Sequence, residues 1–223
     1  MSRLVSFDVF SALIDSRTGG SAFFAGLGNA RSWPCTPGAV YDRWDAHNKL
    51  LQLRCTRWRS FTELAEEALS TTYRDMNLTG SARQDSARLL AGMSTWPLWP
   101  DVSAEALSRV NGGRLGLLTN IDDGLLEPTA VMRLGVFDPQ YVITSQSVRA
   151  YKPSAEFYRR GVERMGPLLH VASSSRDVRG ALEAGIACVR MDRPGHSVDP
   201  AGPQPRVVVG SVLELPGVVS AHP

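Results

Sequence analysis

The sequence predicts an α/β protein, a doubly wound parallel sheet core with a helical domain inserted after the first strand. Three observations lead there. Short apolar runs recur without polar alternation, as in strands buried on both faces. Helix-like stretches separate the later runs, which argues for parallel strands joined by crossovers. Residues 16–98 carry no convincing strand.

Taken in order, the predicted strands are 4–7, 115–119, 141–144, 168–172, 186–191 and 207–209. Helices are expected over 124–134, 154–165, 178–184 with Gly185 as its stop, and 211–215. Inside the helical block, Ser60-Phe-Thr-Glu63 has the spacing of a capping box ahead of Leu64, Ala65, Ala68 and Leu69. Ser81-Ala-Arg-Gln84 repeats that signature, and 41–53 is a third helical stretch. Trp96-Pro-Leu-Trp-Pro100 is a turn-rich joint. The division expected is a core of 1–15 and 99–223 and a helical cap of 16–98.

Composition narrows the function classes. The 223 residues are 43% hydrophobic and 21% charged, enough to build a packed core. A net charge of +2 is too balanced for a nucleic-acid-binding surface spread over the chain. The ten Lys/Arg against seven Asp/Glu of 16–98 would suit a lid over a small anionic substrate, and a solvated helical face explains them equally well. Cys35, Cys55 and Cys188 are odd in number and scattered, which fits a reducing cytoplasm better than a disulfide framework. Neither a signal peptide nor a membrane span is expected.

Four short segments carry the chemistry. Asp8 ends the first apolar run, which puts its carboxylate at the carboxyl edge of a parallel sheet, where ligands bind. Thr119 and Asn120 close the second run. Lys152 precedes Pro153, and in a chain with 22 arginines and only two lysines it suggests a need for a compact point charge. His170-Val-Ala-Ser-Ser-Ser-Arg-Asp177 runs from a strand into a polar loop with an acid at the next helix. Asp122 and Asp123 are expected to cap the helix that follows them.

In this order and spacing the four segments resemble the haloacid dehalogenase superfamily, along essentially the whole chain. The resemblance implies a Rossmann-like core, a helical cap and Asp8 as nucleophile. Phosphatases of that superfamily carry a second acid two residues after the nucleophile, where this chain has Phe10, and an acid in the fourth motif, where it has Ser173 and Ser174. It is therefore most similar to the 2-haloacid dehalogenases (type II), which need no metal. That likeness implies a catalytic set of Asp8, Lys152 and Asp177, the last activating water. It further implies substrate contacts from Phe10, Arg43, Thr119, Asn120, Tyr158 and Ser174, with Arg17 and Arg54 as other cap arginines for the anion. No cofactor or metal is expected, the partner is a small anionic substrate, and a homodimer is left open. Two alternatives remain, a Mg²⁺-dependent small-molecule phosphatase and a weakened member that only binds an anion or a partner. The family's Gly-Thr after the nucleophile is here Ser11-Ala12, so a hydrogen-bonding threonine is missing, and its fourth-motif Ser and Asn are Ala172 and Ser174. Lys152 is expected to matter to catalysis far more than to folding.

Overall fold

The computed structural model describes residues 4–110 and 114–221. Six strands, β1 (Leu4–Phe7), β2 (Leu115–Thr119), β3 (Val142–Thr144), β4 (Leu168–Ala172), β5 (Ala187–Met191) and β6 (Val207–Val209), form one sheet. Its order is β3-β2-β1-β4-β5-β6 and every pairing is parallel. The chain leaves β1 for β2 on one side and reaches β4 on the other, so β1 is the switch point where such sheets open a crevice. Phe7 is in register with both Leu117 and Val171, which sets Asp8 at that opening.

The apolar runs were legible because both sheet faces are covered. One face packs Leu118, Ile143 and Ala172 under Phe157 and Tyr158 of α9 (Ala155–Met165) and Val178 and Ala181 of α10 (Ser175–Glu183). The opposite face sends Val5, Phe7, Leu117 and Val171 into a larger cluster that is continuous with the helices of the inserted segment. Each such side chain removed from water contributes about 1.5–3 kcal/mol.

That segment folds as α1 (Ser16–Arg31), α2 (Pro37–Leu53), α3 (Phe61–Asp75) and α4 (Ala82–Gly92). The capping box at Ser60 and Glu63 forms as its spacing predicts. The helix α1 is not apparent in the sequence, because its four glycines depress helix propensity. Two of them are there for contact. A Cβ on Gly19 would lie 2.4 Å from Cγ of Trp96, and one on Gly20 would lie 2.2 Å from Cδ2 of Tyr41. Only glycine lets those rings come this close to the helix backbone.

The entry to and exit from the helical segment run side by side. Asp15 N–H donates to the Pro97 carbonyl at 2.9 Å and Trp99 N–H to the Leu13 carbonyl at 3.0 Å, closing an antiparallel bridge between Ile14 and Leu98. Among the described residues, no helix is long and apolar enough to cross a membrane.

Other differences from the sequence expectation are local. The stretch 124–134 is two short helices, α6 (Asp123–Leu126) and α7 (Ala130–Arg133), separated at Pro128. α10 begins at Ser175, so Asp177 lies within its first turn. Asp122 does not cap its own helix. Its carboxylate reaches across to α3, accepting from Phe61 N–H at 2.8 Å, Thr62 N–H at 2.9 Å and the Thr62 hydroxyl at 2.7 Å. An anion at a helix N-terminus is favourable wherever it comes from, and here it comes from the sheet.

Candidate active site

Asp8 follows β1 and is anchored by its own N–H, which donates to the Val171 carbonyl at 2.9 Å. Its carboxylate is shared between two donors. Lys152 Nζ reaches Oδ1 at 2.6 Å, and Ser11 reaches Oδ2 through its hydroxyl at 2.6 Å and its N–H at 3.1 Å. The hydrogen bond expected to be lost with the family threonine is thus made by the residue one place earlier. The loop holding Ser11 is fixed in turn: Trp99 Nε1 donates to its carbonyl at 3.1 Å, and Arg193 lies 5.2 Å from the Trp99 ring centroid while donating to the Ala12 carbonyl.

Lys152 is 3% exposed and spends all three of its protons. They go to Asp8, to the Leu118 carbonyl at 2.7 Å and to Asp177 Oδ2 at 2.5 Å. Burial opposes its charge, but Asp177 and Asp8 outweigh burial and its pKa rises above the ordinary lysine value. A lysine held this way ties three segments of the core together, which weighs against the expectation that it carries little of the fold.

Asp177 is 2% exposed and saturated with donors. Tyr158 donates to Oδ1 at 2.7 Å, and His170 Nε2 lies 3.2 and 3.3 Å from its two oxygens. Burial alone would raise its pKa, yet Lys152 and His170 hold it well below the usual carboxylate range. His170 is a register partner of Ser6, whose hydroxyl is 2.9 Å from Nδ1, so Nε2 is the nitrogen left to donate to Asp177.

These groups open on a cavity of about 190 Å³ between the sheet edge and α1–α2. Of the residues expected at the site, Asp8, Phe10, Asn120, Lys152, Ser174 and Asp177 line it. Phe10 packs edge-on against Trp96 at 6.1 Å between centroids. Asn120 holds the Lys152 loop, with Oδ1 accepting from Lys152 N–H at 2.8 Å and Nδ2 donating to the Lys152 carbonyl at 3.0 Å and to Gln52 Oε1 at 2.9 Å.

Three predicted contacts are corrected. Arg43 is exposed on the far side of α2, because the buried stripe of that helix runs through Val40, Tyr41, Trp44, Asn48 and Gln52. Tyr158 is wholly buried behind Asp177 and positions it without touching the cavity. Thr119 is buried at the end of β2, lies outside the cavity lining, and its hydroxyl has no hydrogen-bond partner. Of the other two cap arginines, Arg17 lines the cavity paired with Asp42, and Arg54 does not line it.

Sequence reasoning passed over Ser11, Gln52, His170, Arg176 and His196, the last four being recognisable only once distant segments are adjacent. His196, in the loop after β5, lines the cavity, and burial together with nearby Lys49 lowers its pKa.

The donor set does not suit Mg²⁺. That ion asks for several oxygen ligands in octahedral array. Here each oxygen of Asp8 and Asp177 is already hydrogen-bonded, Phe10 stands where a further acid would be needed, and Ser173 and Ser174 replace the fourth-motif acid. No group of three or more His, Cys, Asp or Glu that could hold a metal occurs among the described residues.

The chain matches the family model of haloacid dehalogenase-like hydrolases over residues 3–185. Among solved structures it is similar to the L-2-haloacid dehalogenase of Xanthobacter autotrophicus with chloropropionic acid covalently bound, at TM-score 0.83 and 22% identity over 100% of both chains. A defluorinating L-2-haloacid dehalogenase matches at TM-score 0.81 and 23% identity, over 98% of this chain and 95% of its own. YfnB from Bacillus subtilis, solved with bound magnesium, matches at TM-score 0.74 and 16% identity over 98% of each chain. No curated protein sequence gives a match. Identities this low carry the fold alone, whereas the family model spans most of the chain and both sides of the site. The sheet order, the aspartate at its switch point and the lysine and second aspartate around it therefore have one common account: the chain belongs to the haloacid dehalogenase-like hydrolases.

Proposed function

We propose that the protein cleaves the carbon–halogen bond of a short 2-haloacid, without metal, through a covalent ester on Asp8. The observation that carries this reading is the pairing of the Asp8 carboxyl group, set between Lys152 and Ser11 at the cavity wall, with an apolar ring at Phe10. An alkoxide leaving group needs a proton donor, and Phe10 has none to give. Halide leaves as a stable anion and needs none.

In the first step an Asp8 oxygen attacks C2, and halide departs with the bonding pair. Lys152 and Ser11 orient the carboxylate, and the shielded cavity removes part of its hydration. Water then attacks the acyl carbon of the ester and gives one proton to Asp177. As the bond from that carbon to the bridging oxygen breaks, that oxygen takes the proton from Asp177 and a 2-hydroxyacid leaves. The water's second proton passes to solvent and Asp8 is regenerated as a carboxylate. Asp177 is the anion placed to accept the water's proton. Lys152 and His170 keep it ionised, so that it can take that proton. Asn120 and Tyr158 act by holding Lys152 and Asp177. The Xanthobacter neighbour, with its covalently bound chloropropionic acid, supports the covalent route by fold analogy.

We read residues 1–15 and 99–223 as the catalytic core and 16–98 as its cap. The unpaired Cys35, Cys55 and Cys188 support a reducing compartment such as the cytoplasm.

The test is halide release from short 2-halocarboxylates with EDTA present, beside phosphate release from small esters with Mg²⁺. Halide release that survives EDTA is expected. A single turnover in H₂¹⁸O with enzyme in excess should label Asp8 and leave the product hydroxyl unlabelled. Activity on phosphate esters alone, lost with EDTA and restored by Mg²⁺, would replace this reading with a phosphatase.

A further inference from the structure

Among the described residues, four permanently charged side chains of positive sign line the cavity, and three are already matched. Arg17 forms a two-pronged pair with Asp42 at 2.9 Å, Lys49 is paired with Asp45, and Lys152 lies between Asp8 and Asp177. Arg176 differs. Its NH2 donates to Gln52 Oε1 and its NH1 to the Lys49 carbonyl at 3.2 Å, both neutral acceptors, and no carboxylate lies within ion-pair distance. Burial lowers its pKa from the ordinary arginine value, and the more distant Asp45, Asp177 and Asp8 offset that only in part. A guanidinium has five N–H donors, and a half-buried one without an anion is the natural seat for a ligand's negative charge.

We propose that Arg176, from the core, binds the carboxylate of the substrate, with Gln52 of α2 orienting its guanidinium. The inference rests on the 2-haloacid reading for the identity of the substrate, but not for the presence of the anion site. It moves anion recognition from a cap arginine to the first turn of α10, next to Asp177 in sequence. Gln52 Oε1 accepts from both Asn120 and Arg176. The anion site is therefore linked through one amide oxygen to the loop that carries Lys152, and it is complete only when α2 lies against the core.

The experiment compares Arg176→Gln, Arg176→Lys and, as a control on the exposed face of α2, Arg43→Gln. Steady-state kinetics use 2-chloropropionate, and calorimetric titration uses propionate and propionamide as the charged and uncharged probes. Arg176→Gln should raise KM roughly 10- to 100-fold with kcat changed only a few-fold, the scale of a lost charge-assisted hydrogen bond. Propionate binding should weaken by a similar factor, propionamide binding should not change, Arg176→Lys should restore part of the loss, and Arg43→Gln should match the wild type. Halide release with KM and propionate affinity unchanged in Arg176→Gln would overturn the anion site and leave the dehalogenase reading intact. Absence of halide release from every haloacid, with propionate still bound in an Arg176-dependent way, would remove the dehalogenase reading and leave the anion site. A merely structural arginine would show equal loss for propionate and propionamide together with a lowered Tm in both Arg176 variants, and that result overturns the proposal.

Discussion

Replacing Lys152 with methionine keeps the length of the side chain and removes its charge. In the native protein one ammonium serves two carboxylates whose side chains are 10% and 2% exposed. Removing one partner of a buried ion pair costs about 3–5 kcal/mol, because the remaining charge is stranded. Here two charges are stranded, so the upper part of that range is expected. For a chain of this size each kcal/mol moves Tm by about 2–4 °C, which gives a fall of roughly 8–20 °C at pH 7. The dependence on pH is diagnostic. In the wild type, Asp177 titrates below its unfolded value, so its contribution is present above about pH 4 and fades as pH falls. Lys152 titrates above its unfolded value, so its contribution is full below about pH 10 and fades as pH rises further. In the variant the largest charge holding Asp177 down is gone, and burial pushes its pKa upward. The penalty of the stranded charge is then present at neutral pH and relieved as pH falls toward about 4. Urea or thermal unfolding at pH 7 and pH 4.5 should therefore show a large gap from the wild type that narrows in acid. Turnover should fall ~10²-fold or more, as for a lost catalytic group. A variant as stable as the wild type at pH 7, or a gap indifferent to pH, would refute the account of Lys152 as the charge that holds both aspartates.

Other outcomes follow from the same geometry. Asp122→Ala leaves the first two amides of α3 without their acceptor and should lower stability by about 1–3 kcal/mol, read by urea unfolding, whereas an unchanged midpoint would mean water replaces the carboxylate without loss. Gly20→Ala forces a methyl into the Tyr41 ring and should lower Tm, with a cost of about 1–3 kcal/mol. Gly26→Ala, in the same helix and with nothing within 4 Å, should instead stabilise by about 0.5–1 kcal/mol, and equal effects would show that helix propensity and not contact governs α1. Asp177→Asn removes the acceptor for the water's proton and should let the ester on Asp8 accumulate, read as a mass increase of the intact protein after mixing with a 2-haloacid. Rapid turnover without any adduct would take Asp177 out of the hydrolytic step.

Much of the core could be read from sequence because its strands are buried on both faces, so continuous apolar runs such as Leu115–Thr119 stand out against everything else. Asp8 at the end of β1, and Lys152 and Asp177 in the segments that follow β3 and β4, stand out for a related reason: a parallel sheet delivers its carboxyl edge to one place. What failed was whatever depended on the far partner. α1 is glycine-rich because Trp96 and Tyr41 lie on it, and nothing near Gly19 or Gly20 in sequence announces those rings. Arg43 sits beside Trp44 in sequence, but adjacent positions on a helix point some 100° apart, so burying Trp44 turns Arg43 outward. Asp122 has the composition of an N-cap and serves as one for a helix some sixty residues earlier in the chain. Tyr158 was expected at the substrate, but the helix that carries it packs on the sheet and leaves it behind Asp177 rather than in front.

The bridge between Ile14 and Leu98 has a consequence for how the chain finds its fold. β1 must pair with a strand that is synthesised roughly a hundred residues later, and joining such distant segments is slow. The four helices between them are built from local contacts and can assemble first. Once they do, Asp15 and Pro97 are brought together, and Leu13 and Trp99 with them. The open stretch between β1 and β2 then shrinks to roughly twenty-five residues. By the logarithmic scaling of loop closure that is worth about 1 kcal/mol of chain entropy. The inserted helices would then act as a clasp for the sheet beneath them, and substitutions that loosen α1 against α2 should slow the folding of strands they never touch.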